Sequence, residues 1–78
     1  MKLRKVGSNQ SVLETNQATV FFSYETPVVV VAGGKFFKTD QHFSLTTSKH
    51  IKSFLKGVKA EAVPQSFIES FLDEGRTN

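Results

Sequence analysis

The sequence contains no cysteine. That absence excludes disulfide staples and thiolate metal ligands together, and it makes the chain indifferent to the redox state of its surroundings. Long apolar runs are missing as well: the longest strictly apolar stretch, Val28 to Ala32, is far short of the roughly 20 residues a membrane-crossing helix needs. The opening MKLRKVGSNQ is basic with no apolar segment behind it, so it is not expected to act as a signal peptide. No repeat, low-complexity tract or interdomain linker breaks the chain, and the AGG at 32–34 lacks the GxxxxGK(S/T) continuation of a phosphate-cradling loop. A soluble single domain over 1–78, with no cofactor and no membrane contact, is expected.

A chain of 78 residues buries only about 60–65 % of the surface its unfolded form exposes, so its core is thin. Small domains compensate with disulfides, a metal or association. With cysteine absent and eight phenylalanines present, association is the expected staple. Charge is laid out unevenly. Residues 1–59 carry nine of the ten Lys and Arg residues against three acids, a net +6, whereas residues 60–78 carry one against four, a net −3. Such asymmetry points to a polyanionic partner for the first part, or to pairing between the two parts across a homo-oligomer.

Residues 1–46 read as β-rich, 47–75 as helical and 76–78 as a tail. SVLETNQATVFFSY at 11–24 reads as a hairpin turning at Thr15-Asn16-Gln17. In its second run Val20, Phe22 and Tyr24 share one face and Thr19, Phe21 and Ser23 the other, so Phe21 interrupts a polar face and needs its own cover. Pro27 opens the next strand, where its missing N–H does least harm. Val28 to Val31 are apolar on both faces, which implies a central strand covered by helices on one side and by another subunit or sheet on the other. Gly33-Gly34 supplies a tight turn into KFFK at 35–38, and His42 to Leu45 reads as one further short strand. Thr47 or Ser48 is the expected cap of a helix whose stripe is Ile51, Phe54, Leu55 and Val58. Pro64 opens a second helix, striped by Phe67, Ile68, Phe71 and Leu72 and ending near Gly75. The predicted class is α+β, a small antiparallel β-sheet meander followed by two C-terminal amphipathic helices. An SH3-like β-barrel with a helical appendage is the alternative.

In GGKFFK, Lys35 and Phe37 face one way and Phe36 and Lys38 the other, so no continuous base-stacking surface forms. The segment also lacks the glycine-interleaved pattern of an RNA-recognition strand. One ring is expected in the core and the other at an interface, which makes Val28, Val30, Phe36 and Phe37 the candidate interface residues. On an ideal helix Lys49, Lys52, Lys56 and Lys59 fall within an arc of about 80° opposite the apolar stripe. With Lys35 and Lys38 they are the candidate polyanion-binding residues; the alternative reading is an ordinary solvated face. Glu69 and Asp73 form a complementary acidic edge that a neighbouring subunit could present to that ridge. Asp40, His42 and Ser44 match a catalytic triad in composition only, because extended spacing sets them in a row. A metal site would need a third ligand that the spacing does not announce. No catalytic or metal residue is therefore nominated, and His50 is expected to pack or hydrogen-bond locally.

GSNQ at 7–10, FFSYETPV at 21–28 and LTTSKHI at 45–51 together resemble a family of short uncharacterised proteins encoded by tailed bacteriophages. There a similar FSYxTPVA segment is followed by a similar TTSKHI before a helix, and the likeness spans residues 7 to about 57. The resemblance implies a phage origin, action in the host cytoplasm, and no assigned activity or catalytic residues. The same motif residues also have structural readings, as a turn at Tyr24 to Pro27 and as strand exit and helix cap at Thr46 to Ser48. The leading expectation is a non-catalytic protein-interaction or self-assembling module, a homo-oligomer or one that takes another protein as partner. The alternative is a nucleic-acid-binding accessory protein using the basic helix face.

Overall fold

The computed structural model describes residues 2–73 of the chain. Its elements are β1 (Lys2–Gly7), β2 (Gln10–Glu14), β3 (Thr19–Ser23), β4 (Thr26–Ala32), β5 (Lys35–Thr39), α1 (Leu45–Leu55), β6 (Glu61–Val63) and α2 (Gln65–Asp73). The six strands form one sheet in the order β1-β2-β3-β4-β5-β6. Neighbours from β1 to β5 are antiparallel, and β6 runs parallel to β5. The class is α+β, with a mixed sheet in place of the purely antiparallel one expected. The sheet is open, with β1 and β6 at its edges, where the SH3-like alternative would close it into a barrel.

Each local element has a residue-level cause. The β2–β3 turn is held by Thr15, whose amide donates to the Ala18 carbonyl at 2.9 Å and whose hydroxyl accepts from the amides of Gln17 and Ala18 at 3.2 and 3.1 Å. Gly33 and Gly34 take φ of +58° and +78°, the paired left-handed conformation that matches the twist of a two-residue hairpin. GGKFFK is thus a hairpin entering β5. The segment before α1 departs from expectation. His42 to Ser44 is irregular, not a strand, and the helix starts at Leu45, because the Ser44 side chain accepts from the Thr47 amide at 3.1 Å and caps it. At the far end Lys56 adopts φ +49° and its amide returns to the Lys52 carbonyl, which stops α1 at Leu55. α2 is entered from Pro64, whose carbonyl receives the Phe67 amide at 3.0 Å. Gly75, the tail 76–78 and the Asp73 side chain lie outside the described residues.

β6 was not anticipated within a segment read as helical. Parallel pairing requires a crossover, and α1 is that crossover. Thr39 pairs with Val63, and the Asp40 amide donates to the Val63 carbonyl at 2.8 Å, so the chain returns to the sheet for three residues before α2 begins.

Both faces of the sheet are covered by the chain's own helices. On one face Val12, Phe21 and Val29 stand in register and pack with Val28 against Ile51, Phe54 and Leu55 of α1. Phe21 stacks on Phe54 with centroids 4.3 Å apart and planes inclined by 21°, which is the separate cover its position demands. On the other face Val20, Val30 and Val63 pack against Ile68, Phe71 and Leu72 of α2, with Phe37 edge-on to Phe67 at 5.1 Å. The Gln65 amide donates to the Pro27 carbonyl at 2.8 Å and fixes the start of α2 over β4.

This arrangement corrects the interface reading. Val28 and Val30 are both 0 % exposed within one chain, so α2 supplies the second cover expected from another subunit or sheet. Phe36 and Phe37 are half-buried against the two clusters for the same reason. A bulge explains why Val28 and Val29 join one cluster: Phe21 pairs with Val29 but Phe22 pairs with Pro27, leaving Val28 as the extra residue that interrupts the alternation.

Two outcomes follow from the packing. Phe21→Ala, which empties the stack beneath α1, lowers unfolding stability by about 3–5 kcal/mol in chemical denaturation. The unfolding midpoint of the unsubstituted chain stays constant across protein concentrations, because no core valine waits for a second subunit; a midpoint that rises with concentration would contradict the packing.

Candidate functional site

Lys49, Lys52, Lys56 and Lys59 do not form the expected ridge. Because α1 ends at Leu55, only Lys49 and Lys52 lie on the helix; Lys56 is its left-handed cap and Lys59 belongs to the following loop. An 80° helical arc about the axis therefore does not exist beyond Lys52. Lys35, at the start of β5, points to the face opposite Lys38, as the strand alternation requires.

Three of the lysines nevertheless come together by another route. A trough of 390 Å³ runs between α1 and the β5–β6 edge of the sheet, lined by Lys38, Lys52 and Lys59 with Ile51, Leu55, Gly57, Val58 and Ala60. Lys38 comes from β5, Lys52 from α1 and Lys59 from the loop into β6, so the crossover itself assembles the cationic wall. No acidic side chain lines this trough. An adjoining hollow of 280 Å³ shares Lys38, Ile51 and Lys52 and extends toward Thr39, Asp40, Gln41, His42 and Ser48. Lys38 is half-buried and lines both hollows. Among the described residues the one ion pair is Arg4 to Glu14, at 2.9 Å on the β1–β2 ladder, and none involves a trough lysine. Lys56 lines a separate hollow near Val6 and Phe54, and Lys49 is exposed on α1 outside the trough.

A second cluster joins β3 to α1. The Ser23 hydroxyl stands 2.7 Å from Nδ1 of His50 and donates to Oγ1 of Thr47 at 3.0 Å, and the Ser44 hydroxyl donates to the same Thr47 oxygen at 3.3 Å. The chain of hydroxyls ends where the Thr47 amide donates back to Ser44. Tyr24, held at φ +59°, tilts against the His50 ring at 5.7 Å. A serine beside a histidine is the start of a nucleophile–base pair, but Ser23 is 1 % exposed beneath the helix and no substrate atom can approach it. What the cluster does is satisfy buried hydroxyls and lock the first turns of α1 onto β3. The sequence contained one signal for it: Ser23 shares the inward face with Phe21, and a serine on a covered face needs a polar partner from whatever covers it. The partners themselves lie 24 and 27 residues away.

The other sequence candidates have different surroundings. Asp40 and His42 border the smaller hollow, whereas Ser44 is engaged as the cap of α1. Among the described residues no group of three or more His, Cys, Asp or Glu side chains is placed to hold a metal ion. Nor is any helix there long and apolar enough to cross a membrane.

Ser23→Ala removes the hydroxyl shared by Thr47 and His50. It lowers stability by about 1–3 kcal/mol in denaturant titration, with the loss concentrated in amide-exchange protection at the start of α1; unchanged protection there would refute the clamp.

No curated protein and no solved structure matches this chain. A family model does match, over residues 1–70, which takes in the whole sheet, the crossover helix and the first turns of α2. On that match the chain belongs to the family of unknown function DUF8033.

Proposed function

We propose that the chain is a non-catalytic nucleic-acid-binding accessory protein that holds the phosphate backbone of a single strand in the trough between α1 and β5–β6. The observation that carries this reading is the convergence of Lys38, Lys52 and Lys59, from three separate elements, on one trough without an acid in its lining. Cations gathered in a groove attract a polyanion and release its counterions on contact. Ile51 and Val58 give the trough an apolar floor on which sugar or base edges rest without hydrogen-bond readout. No aromatic ring lines it, so binding through this trough is tolerant of sequence.

Self-assembly, the leading expectation from the sequence, loses its main support because α2 covers the valine strand. The non-catalytic reading is supported by the burial of Ser23 and the engagement of Ser44 as the cap of α1. The resemblance of GSNQ, FFSYETPV and LTTSKHI to short phage proteins supports, as part of this proposal, a phage origin and action in a bacterial host's cytoplasm.

Fluorescence anisotropy of a labelled oligothymidylate, titrated over a range of salt, tests the assignment. Three phosphate contacts predict a log–log salt slope of about −2 for a single strand. Lys52→Glu combined with Lys59→Glu weakens binding by about tenfold or more, and Lys35→Glu, on the opposite face, leaves it unchanged. Absence of binding at low ionic strength, or an equal loss on Lys35→Glu, overturns the proposal.

A further inference from the structure

β1 is an edge strand, so alternate N–H and C=O groups along its outer side have no strand partner. We propose that this edge is a docking site for an extended acidic segment of a partner protein, which adds to the sheet as a further strand. The site is independent of the lysine trough, which lies at the opposite edge of the sheet.

Four observations carry it. β1 runs from Lys2 to Gly7, with a register shift at Val6; its regular part, Lys2 to Lys5, extends about 13 Å, enough for main-chain pairing. Charged residues commonly guard such edges, but here two aliphatic side chains also stand in solvent, Leu3 at 67 % and Val6 at 48 % exposure. A hollow flanks the edge on each face of the sheet. One of 690 Å³ is bordered by Leu3 and Lys5, which share one face of β1, with Tyr24 and one acid, Glu25, and one of 500 Å³ by Val6, Phe54 and Lys56 on the α1 side. An added strand points successive side chains to opposite faces, so its residues enter the two hollows in turn, and each hollow offers apolar surface beside a lysine. Finally, Arg4 is paired with Glu14, while Lys2 and Lys5 have no ion pair among the described residues.

That chemistry selects an extended segment mixing aliphatic and acidic residues, with main-chain bonds giving affinity and the hollows giving specificity. It disfavours a second copy of β1, which would set lysine and arginine against lysine and arginine across the new ladder.

The test uses the full chain, isotopically labelled for amide spectroscopy, and two short probes: a peptide of alternating valine and glutamate, and its valine–lysine counterpart. The acidic probe is expected to shift and slow the exchange of amides in residues 2–7 and to perturb Tyr24 and Phe54. Lys2→Glu with Lys5→Glu, both at exposed positions, weakens it by about tenfold or more. Lys52→Glu leaves it intact, which separates this site from the trough. The inference is overturned if residues 2–7 do not respond to the acidic probe, if the basic probe binds equally well, or if the shifts gather at Lys38, Lys52 and Lys59 instead.

Discussion

The whole structure depends on burying β4 on both faces. Val28, Val29 and Val30 are each fully removed from solvent, and a buried valine is worth about 1.5–3 kcal/mol relative to an exposed one. A strand with apolar residues on both sides needs two layers of cover, and in so short a chain each layer must be a helix. α1 and α2 therefore take opposite faces, and everything else is arranged to let them do so. Phe21, Phe54 and Leu55 complete one interior, while Val20, Ile68 and Phe71 complete the other. The bulge at Val28 shifts the valine run by one residue and so divides it between the two interiors.

The demand for two layers also explains β6. After α1 has crossed one face, the chain must reach the other face to begin α2. It does so by pairing briefly with β5, which gives its backbone groups partners on the way. The loop into that short strand carries Lys59 to the same trough as Lys38 and Lys52, so the cationic surface is a by-product of the crossover. The hydroxyl cluster at Ser23 has a related role. It anchors the start of α1 to β3 and thereby sets where Lys52 stands relative to Lys38.

Among the described residues, charge, unlike apolar surface, is left unpaired apart from the Arg4–Glu14 bridge. A surface built in this way has attraction to offer outside itself. The two cationic regions sit at opposite edges of the sheet, one a trough with an apolar floor and the other a strand edge with free backbone groups. Their chemistries differ, which is why phosphate is the ligand proposed for the first and an acidic polypeptide for the second.

Much of this fold was legible in the chain because its signals are local. The Thr15 turn, the Gly33-Gly34 hairpin, the alternation along β3 and the apolar stripes of both helices arise from neighbours within a few residues. The sequence also determined that Phe21 and the valine run required cover on both faces. It could not say what the cover was, because the choice between α2 and a second subunit is made by long-range packing. β6 was hidden because Glu61-Ala62-Val63 has no strand period of its own and is a strand only by virtue of β5. The start of α1 was hidden because Ser44, Thr47 and Ser48 are all competent caps and tertiary contacts of Thr47 with Ser23 favour the first. The candidate lysines were visible as residues but not as a site. Their convergence joins residue 38 to residue 59 across a turn, a helix and a loop, a distance in sequence that only the folded backbone brings to contact.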